Sequence, residues 1–178
     1  MKNPFIPIIE DEPLEHLNFA NAYAVEARIL AFEYLNASIG AYRNGFFRVA
    51  VQNAIESVER ALKSVCYADD KGWVISGTYR QEWNDLKRSH DMSALRKLQE
   101  MCHMNFIMEY DLQALEDAVP NRQAHPKSLY NAVRFSEQII SLDSARAAVE
   151  VAYYLCYLVE RTVARSRGDE FLIPIFQG

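Results

Sequence analysis

Hydrophobic positions recur at helical spacing over most of the chain. Between residues 46 and 67, Val51, Ala54, Ile55, Val58, Leu62, Val65 and Cys66 step by three, one, three, four, three and one. That is the apolar stripe of an amphipathic helix. A second regular stripe, Ala145, Ala148, Val149, Ala152, Cys156, Val159 and Val163, predicts a long last helix. Ser141 or Asp143 is suited to cap its N-terminus. The many small residues of this stripe predict close packing against a neighbour.

Residues 14–42 read as one long helix, with Leu17, Tyr23, Ala27, Leu30, Tyr34 and Ala41 outlining its stripe. The sequence 43-RNG-45 interrupts the pattern, and Asn-Gly is a turn signal. Two long helices joined by a tight turn make an antiparallel hairpin. Further on, Met92, Leu95, Leu98, Cys102 and Phe106 mark a middle helix that starts at Ser89 to Asp91, and residues 110–118 read as a short helix. Residues 68–88 and 119–135 read as connections. The ends, 1–13 and 171-FLIPIFQG-178, contain prolines and are expected to be extended, as edge strands or docked segments.

The fold expected from this pattern is all-α: an antiparallel up-and-down bundle of four to five helices with extended Pro-containing termini. The 178 residues fit one domain, with a core over 14–166 and arms over 1–13 and 167–178. Scarce glycine and proline, six of each, agree with long helices, and the 50% hydrophobic and 24% charged composition is that of a soluble globular protein.

The net charge of −5 removes any global attraction to nucleic acid or anionic lipid. One window departs from it: 119-VPNRQAHPKSLYNAVRF-135 holds Arg122, His125, Lys127 and Arg134 and no acid. No run of the required length is free of charge, so no membrane span is expected. The start of the chain lacks a small-residue cleavage site, so no signal peptide is expected and the location expected is cytoplasmic. The three cysteines, Cys66, Cys102 and Cys156, show no C-x-x-C spacing and read as buried reduced thiols.

Metal chemistry finds little support. Glu100 and His103 form a Glu-x-x-His at helical spacing, but di-iron bundles need two such pairs and two more glutamates. No phosphate-cradling glycine loop, zinc spacing or nucleophile motif occurs, so no cofactor and no metal are expected. His90 opens the middle helix in 88-RSHDMSALRKL-98, where Ser89 or Asp91 caps the first turn. The alternative is that His90, Arg88 and Lys87 face a phosphate pocket at that helix N-terminus.

Four segments in order resemble one family. The run 46-FFRVAVQNAIESVERALKSV-65 resembles the second helix of HEPN domains (higher eukaryote and prokaryote nucleotide-binding), matching at Gln52, Ala54, Glu56, Glu59 and Ala61-Leu62-Lys63. The segment 90-HDMSAL-95 is similar to the His-Asp-Leu-x-x-Leu that opens the third helix. The segment 130-YNAVRF-135 resembles the Tyr-x-x-x-Arg-Tyr before the last helix, and 144-SARAAVEVAYYLCYLVERTV-163 fits that helix. The resemblance covers roughly residues 20–165 and implies a helical bundle that commonly forms a homodimer.

Some HEPN domains are metal-independent ribonucleases of toxin–antitoxin, abortive-infection or related defence systems. They carry an Arg, four to six residues and a His near the start of the final helix. Other members bind nucleotides or partner a nucleotidyltransferase. This chain departs from the ribonuclease pattern, because no histidine follows Arg134. Arg96 and His103 have the spacing but lie in the middle helix, and remain the weak catalytic candidates. The resemblance therefore implies a nucleotide- or RNA-phosphate-binding protein that lacks the standard cleavage motif. Arg134, Arg122 and His125 would make the contacts, with Arg88 and His90 close by. The alternative is a non-enzymatic acidic helical immunity or regulatory protein that acts by protein–protein binding.

Overall fold

The computed structural model describes residues 17–68, 112–120, 122–125, 128–169 and 174–178. All secondary structure among them is helical. We number the helices α1 (Ala22–Arg43), α2 (Phe47–Ala68), α3 (Leu129–Phe135) and α4 (Leu142–Ser166). Residues 112–117 are also helical, as expected, and Arg122–Ala124 form one 3-10 turn. The middle helix expected over residues 89–106 lies outside the described residues, together with Arg88, His90, Arg96, Cys102 and His103.

Helix α1 starts later than its sequence pattern implies. Residues 17–21 form a turn, held where Asn18 Oδ1 accepts from Ala20 N (3.1 Å) and Asn21 Oδ1 accepts from Tyr23 N (2.9 Å). Asn21 is the N-cap, so the local side-chain bonds outcompete an earlier helical turn. At the other end Gly45 adopts φ +77°, its N–H donates to Tyr42 O, and Phe46 N donates to Ala41 O. This pair of bonds is a Schellman closure, which needs a left-handed residue and therefore favours glycine. Helix α4 ends the same way: Gly168 has φ +79°, Gly168 N donates to Arg165 O and Asp169 N to Ala164 O. Its N-cap is Ser141, whose Oγ accepts from Ser144 N at 3.1 Å.

The stripes of α2 and α4 are buried as their spacing predicts; every residue named for them is in the core. The stripe expected for α1 needs correction. Its buried face is Ala24, Ala27, Ala31, Leu35 and Ser38, whereas Tyr23 is 67% exposed and Leu30, Tyr34 and Ala41 are only partly buried. Small side chains take the inner face because backbones approach closely there. Ser57 Oγ donates to Ala31 O (2.8 Å) and Ser38 Oγ to Ala50 O (2.7 Å). Cys156 Sγ lies 3.1 Å from Ser57 Oγ and 3.8 Å from Ala31 O, so three helices converge on one carbonyl.

These contacts fix the topology. Ala31 opposes Ser57 and Ser38 opposes Ala50, so α1 and α2 are antiparallel. Ala50 packs with Val149, and Ser57 with Cys156, so α2 and α4 run parallel. The ion pair Arg28–Glu160 ties α1 to α4 along one edge.

Residues 129–135, read above as part of a connection, form α3. Ser128 caps it by accepting from Asn131 N, and Leu129, Ala132 and Val133 are buried. Among residues 174–178, Phe176 is buried against Ala50, Val149 and Tyr153, while Ile175 points outward.

Candidate functional site

The electropositive window occupies one end of the bundle, where α3 leads into α4. Helix α3 is short, and its C-terminal end is tied to α2 by Arg48. That guanidinium donates through Nη1 to Val133 O and through Nη2 to Gln138 O (3.0 Å). One side chain thus satisfies a helix-terminal carbonyl and a linker carbonyl that would otherwise lack intrahelical partners. The linker 136–141 is further fixed by Ser136 Oγ, which accepts from Gln138 N, and by Ile140, which is buried.

Two of the predicted contact residues meet on this framework. Phe135, the last residue of α3, is 60% exposed. The Arg134 guanidinium carbon stands 5.4 Å from the centre of its ring. The His125 imidazole is centred 5.6 Å from the same ring, inclined at 38°. Arg134 is exposed and His125 half-buried. A guanidinium over an aromatic face is an attractive contact, and it holds the cation beside an open ring.

Arg122 is arranged differently. Its Nη1 donates to Glu116 Oε2 at 2.7 Å and lies 3.9 Å from Asp117 Oδ1. The 119–135 window holds no acid in sequence, but the fold brings two carboxylates to its first arginine. Much of the charge of Arg122 is therefore compensated. Of the residues expected at the site, the structure brings Arg134 and His125 to one ring and sets Arg122 in an ion pair. Arg88 and His90 fall outside the described residues, as do the catalytic candidates Arg96 and His103.

Two residues went unread in the sequence. Phe135 was visible only as the end of 130-YNAVRF-135, although an aromatic residue beside an arginine at a helix end is a signal in itself. Arg48 carries no local signal, because its acceptors lie 85 and 90 residues away.

The surroundings are open and apolar in part. Phe46, Val49, Ile139 and Leu142 are exposed near the Arg48 bridge, and Ile139 is 94% exposed. Among the described residues, no group of three or more His, Cys, Asp or Glu side chains is placed to hold a metal ion. No described helix is long and apolar enough to cross a membrane.

No family model matches the chain, and neither a similar curated protein nor a similar solved structure is found.

Proposed function

We propose that this is a HEPN-like protein that binds a nucleotide or RNA phosphate at the Arg134–Phe135–His125 edge. The observation that carries the reading is the meeting of Arg134 and His125 on one exposed aromatic ring. Single-stranded nucleic acid is held by this combination of parts: a base stacks on the ring and a cation holds the adjacent phosphate. The ordered resemblance of four segments supports the same reading, with a role in a toxin–antitoxin or other defence system. A homodimer and a nucleotidyltransferase-type partner belong to that reading as well.

Binding rather than cleavage is the activity proposed. A metal-independent ribonuclease needs a general base and a cation placed around one phosphate. Arg134 and His125 supply both residue types, but on an open surface that does not exclude water. The net charge of −5 works against RNA, so binding is weak and salt-sensitive.

The test is titration of a fluorescent single-stranded oligoribonucleotide at low salt. Arg134→Ala and Phe135→Ala should each weaken binding about tenfold, in line with loss of one phosphate contact or one stacked base. Binding unchanged in both variants overturns the assignment.

A second reading is favoured by the apolar side chains beside this edge. Phe46, Ile139 and Leu142 have nothing to offer a phosphate, and exposed apolar side chains of this size are what a protein partner covers. In this reading the chain is a non-enzymatic immunity or regulatory protein.

A further inference from the structure

Ala50, Val149 and Phe176 form a small buried cluster of their own, apart from the main core. Ala50 lies near the start of α2 and Val149 near the start of α4. Ile39 and Tyr42 of α1 and Tyr153 of α4 pack around them. The Phe176 ring is 8% exposed, and its centre stands 5.2 Å from that of Tyr153, inclined at 53°. Three helices thus build a seat for one aromatic side chain. That side chain comes from the tail, ten residues after the last residue of α4.

The tail is held there at one point. Phe176 is the one buried residue of 174–178, and its neighbours Pro174, Ile175, Gln177 and Gly178 are exposed. Ile175, a large aliphatic residue next to the anchor, is 67% exposed. Among the described residues, none of 174–178 makes a backbone hydrogen bond to the helices. Gly178 lies against the Arg146 guanidinium, nearer the start of α4 than Val149, so the segment runs antiparallel to α4. An extended strand anchored by a side chain in a pocket is a common way for a peptide to bind.

The chemistry of the seat is apolar. The segment 171-FLIPIFQG-178 carries no charged side chain. At the rim, Arg146 is already paired with Glu150 at 2.9 Å, so the seat makes no demand for a charged occupant. Pro174 stands two residues before the anchor. Its fixed φ removes freedom from the approaching backbone, which lowers the ordering cost of docking.

The geometry points to an exchangeable peptide seat between α1, α2 and α4. It takes an extended, uncharged segment of a partner protein that bears an aromatic residue two places after a proline, and residues 174–178 hold the seat as a built-in competitor. The main core does not include Phe176, so the seat can be vacated with the bundle intact. A tethered tail acts at an effective concentration on the order of 1 mM. A partner segment with a Kd on the order of 100 µM therefore meets a handicap of about tenfold. The seat uses neither Arg134 nor the apolar side chains beside it, and it goes beyond both readings above.

The test is fluorescence anisotropy with a labelled peptide of residues 171–178, extended by two lysines for solubility. The full chain carrying Phe176→Ala should keep its helicity and bind this peptide. The wild-type chain should bind it about tenfold more weakly, because its own tail competes. The same peptide carrying Phe176→Ala should bind neither chain. A folded Phe176→Ala chain that does not bind the peptide overturns the proposal. So does equal binding to both chains, since the peptide then sits elsewhere. Loss of helicity in Phe176→Ala also overturns it, because Phe176 is then part of the core and no plug. A wild-type dimer that Phe176→Ala converts to monomer overturns it as well, since the tail then seats in a second copy. None of these outcomes touches the oligoribonucleotide titration, which reports on Arg134 and Phe135 alone.

Discussion

The carboxylate of Glu160 in α4 accepts two hydrogen bonds from the guanidinium of Arg28 in α1, at 2.8 and 2.7 Å, across 132 residues of sequence. Both side chains are about one-fifth exposed, and Arg28 also lies 5.9 Å from the Phe19 ring centre. A two-point, partly buried ion pair is stronger than a typical surface pair, because its geometry is fixed and water is partly excluded. Arg28→Ala should cost about 1–3 kcal/mol, read from the urea midpoint. Arg28→Lys should recover less than half of that, since an ammonium cannot form both bonds. Full recovery by lysine would show that charge alone matters.

Glu59 and Lys63 form an ion pair inside α2, with each side chain only 3% exposed. In a pair this buried, removing one charge takes a partner from the other, which costs up to about 3–5 kcal/mol. Lys63→Met should therefore unfold the protein at a much lower urea concentration. The double change Glu59→Leu, Lys63→Met should be less damaging than either single change. A double variant with the summed loss of both single variants would contradict this.

The Cys156 thiol is pushed up from 9.0 to about 12 by burial, against a smaller opposing effect of its hydrogen bond with Ser57. The unfolded thiol ionises near its ordinary value, whereas the folded one keeps its proton. Between those two values the folded state holds more protons than the unfolded state, so stability must fall as pH rises. Burial also raises Tyr67 and Tyr153, which add to the loss at the alkaline end. Thermal unfolding from pH 8 to 11 should show a decline that is shallower in Cys156→Ala. The thiol should also resist alkylation at pH 8 until the chain unfolds.

Arg48→Ala should loosen α3 without unfolding the bundle. It releases the carbonyls of Val133 and Gln138 and cuts the tie between α2 and the linker. Hydrogen exchange over residues 129–141 should speed up at least tenfold, with α1 and α2 little changed. Equal acceleration throughout would mean that Arg48 supports global stability instead.

The helices were legible where one side of a helix faces one core. In α2 and α4 the spacing of Val51, Val58, Leu62, Ala148, Ala152 and Val159 identified the buried face directly. In α1 it held only for Leu17 and Ala27, because large residues such as Tyr23 and Ile29 lie outward while alanines face in. Hydrophobicity ranks tyrosine and isoleucine as core material, but the serine-to-carbonyl bonds leave no room for them. Helix α3 was hidden by the prolines and polar residues before it; its Ser128 cap is the local signal that marks its start.

The candidate site was legible as composition and not as geometry. Arg134 and His125 were singled out from an acid-free window, and they do meet at one ring. The pairing of Arg122 with Glu116 was not visible, because a helix end just outside the window supplies the carboxylate.

Parallel α2 and α4 also set an order of events during synthesis. The contact between Ser57 and Cys156 spans 99 residues, whereas α1 and α2 meet across a three-residue turn. At about 5–20 residues per second, the hairpin is made on the order of 5–20 s before the helix that covers it. Throughout that interval the face of α1 and α2 around Ala31 and Ser57 lacks the cover that α4 gives it. The nascent chain must keep that face from other polypeptides until α4 emerges to cover it.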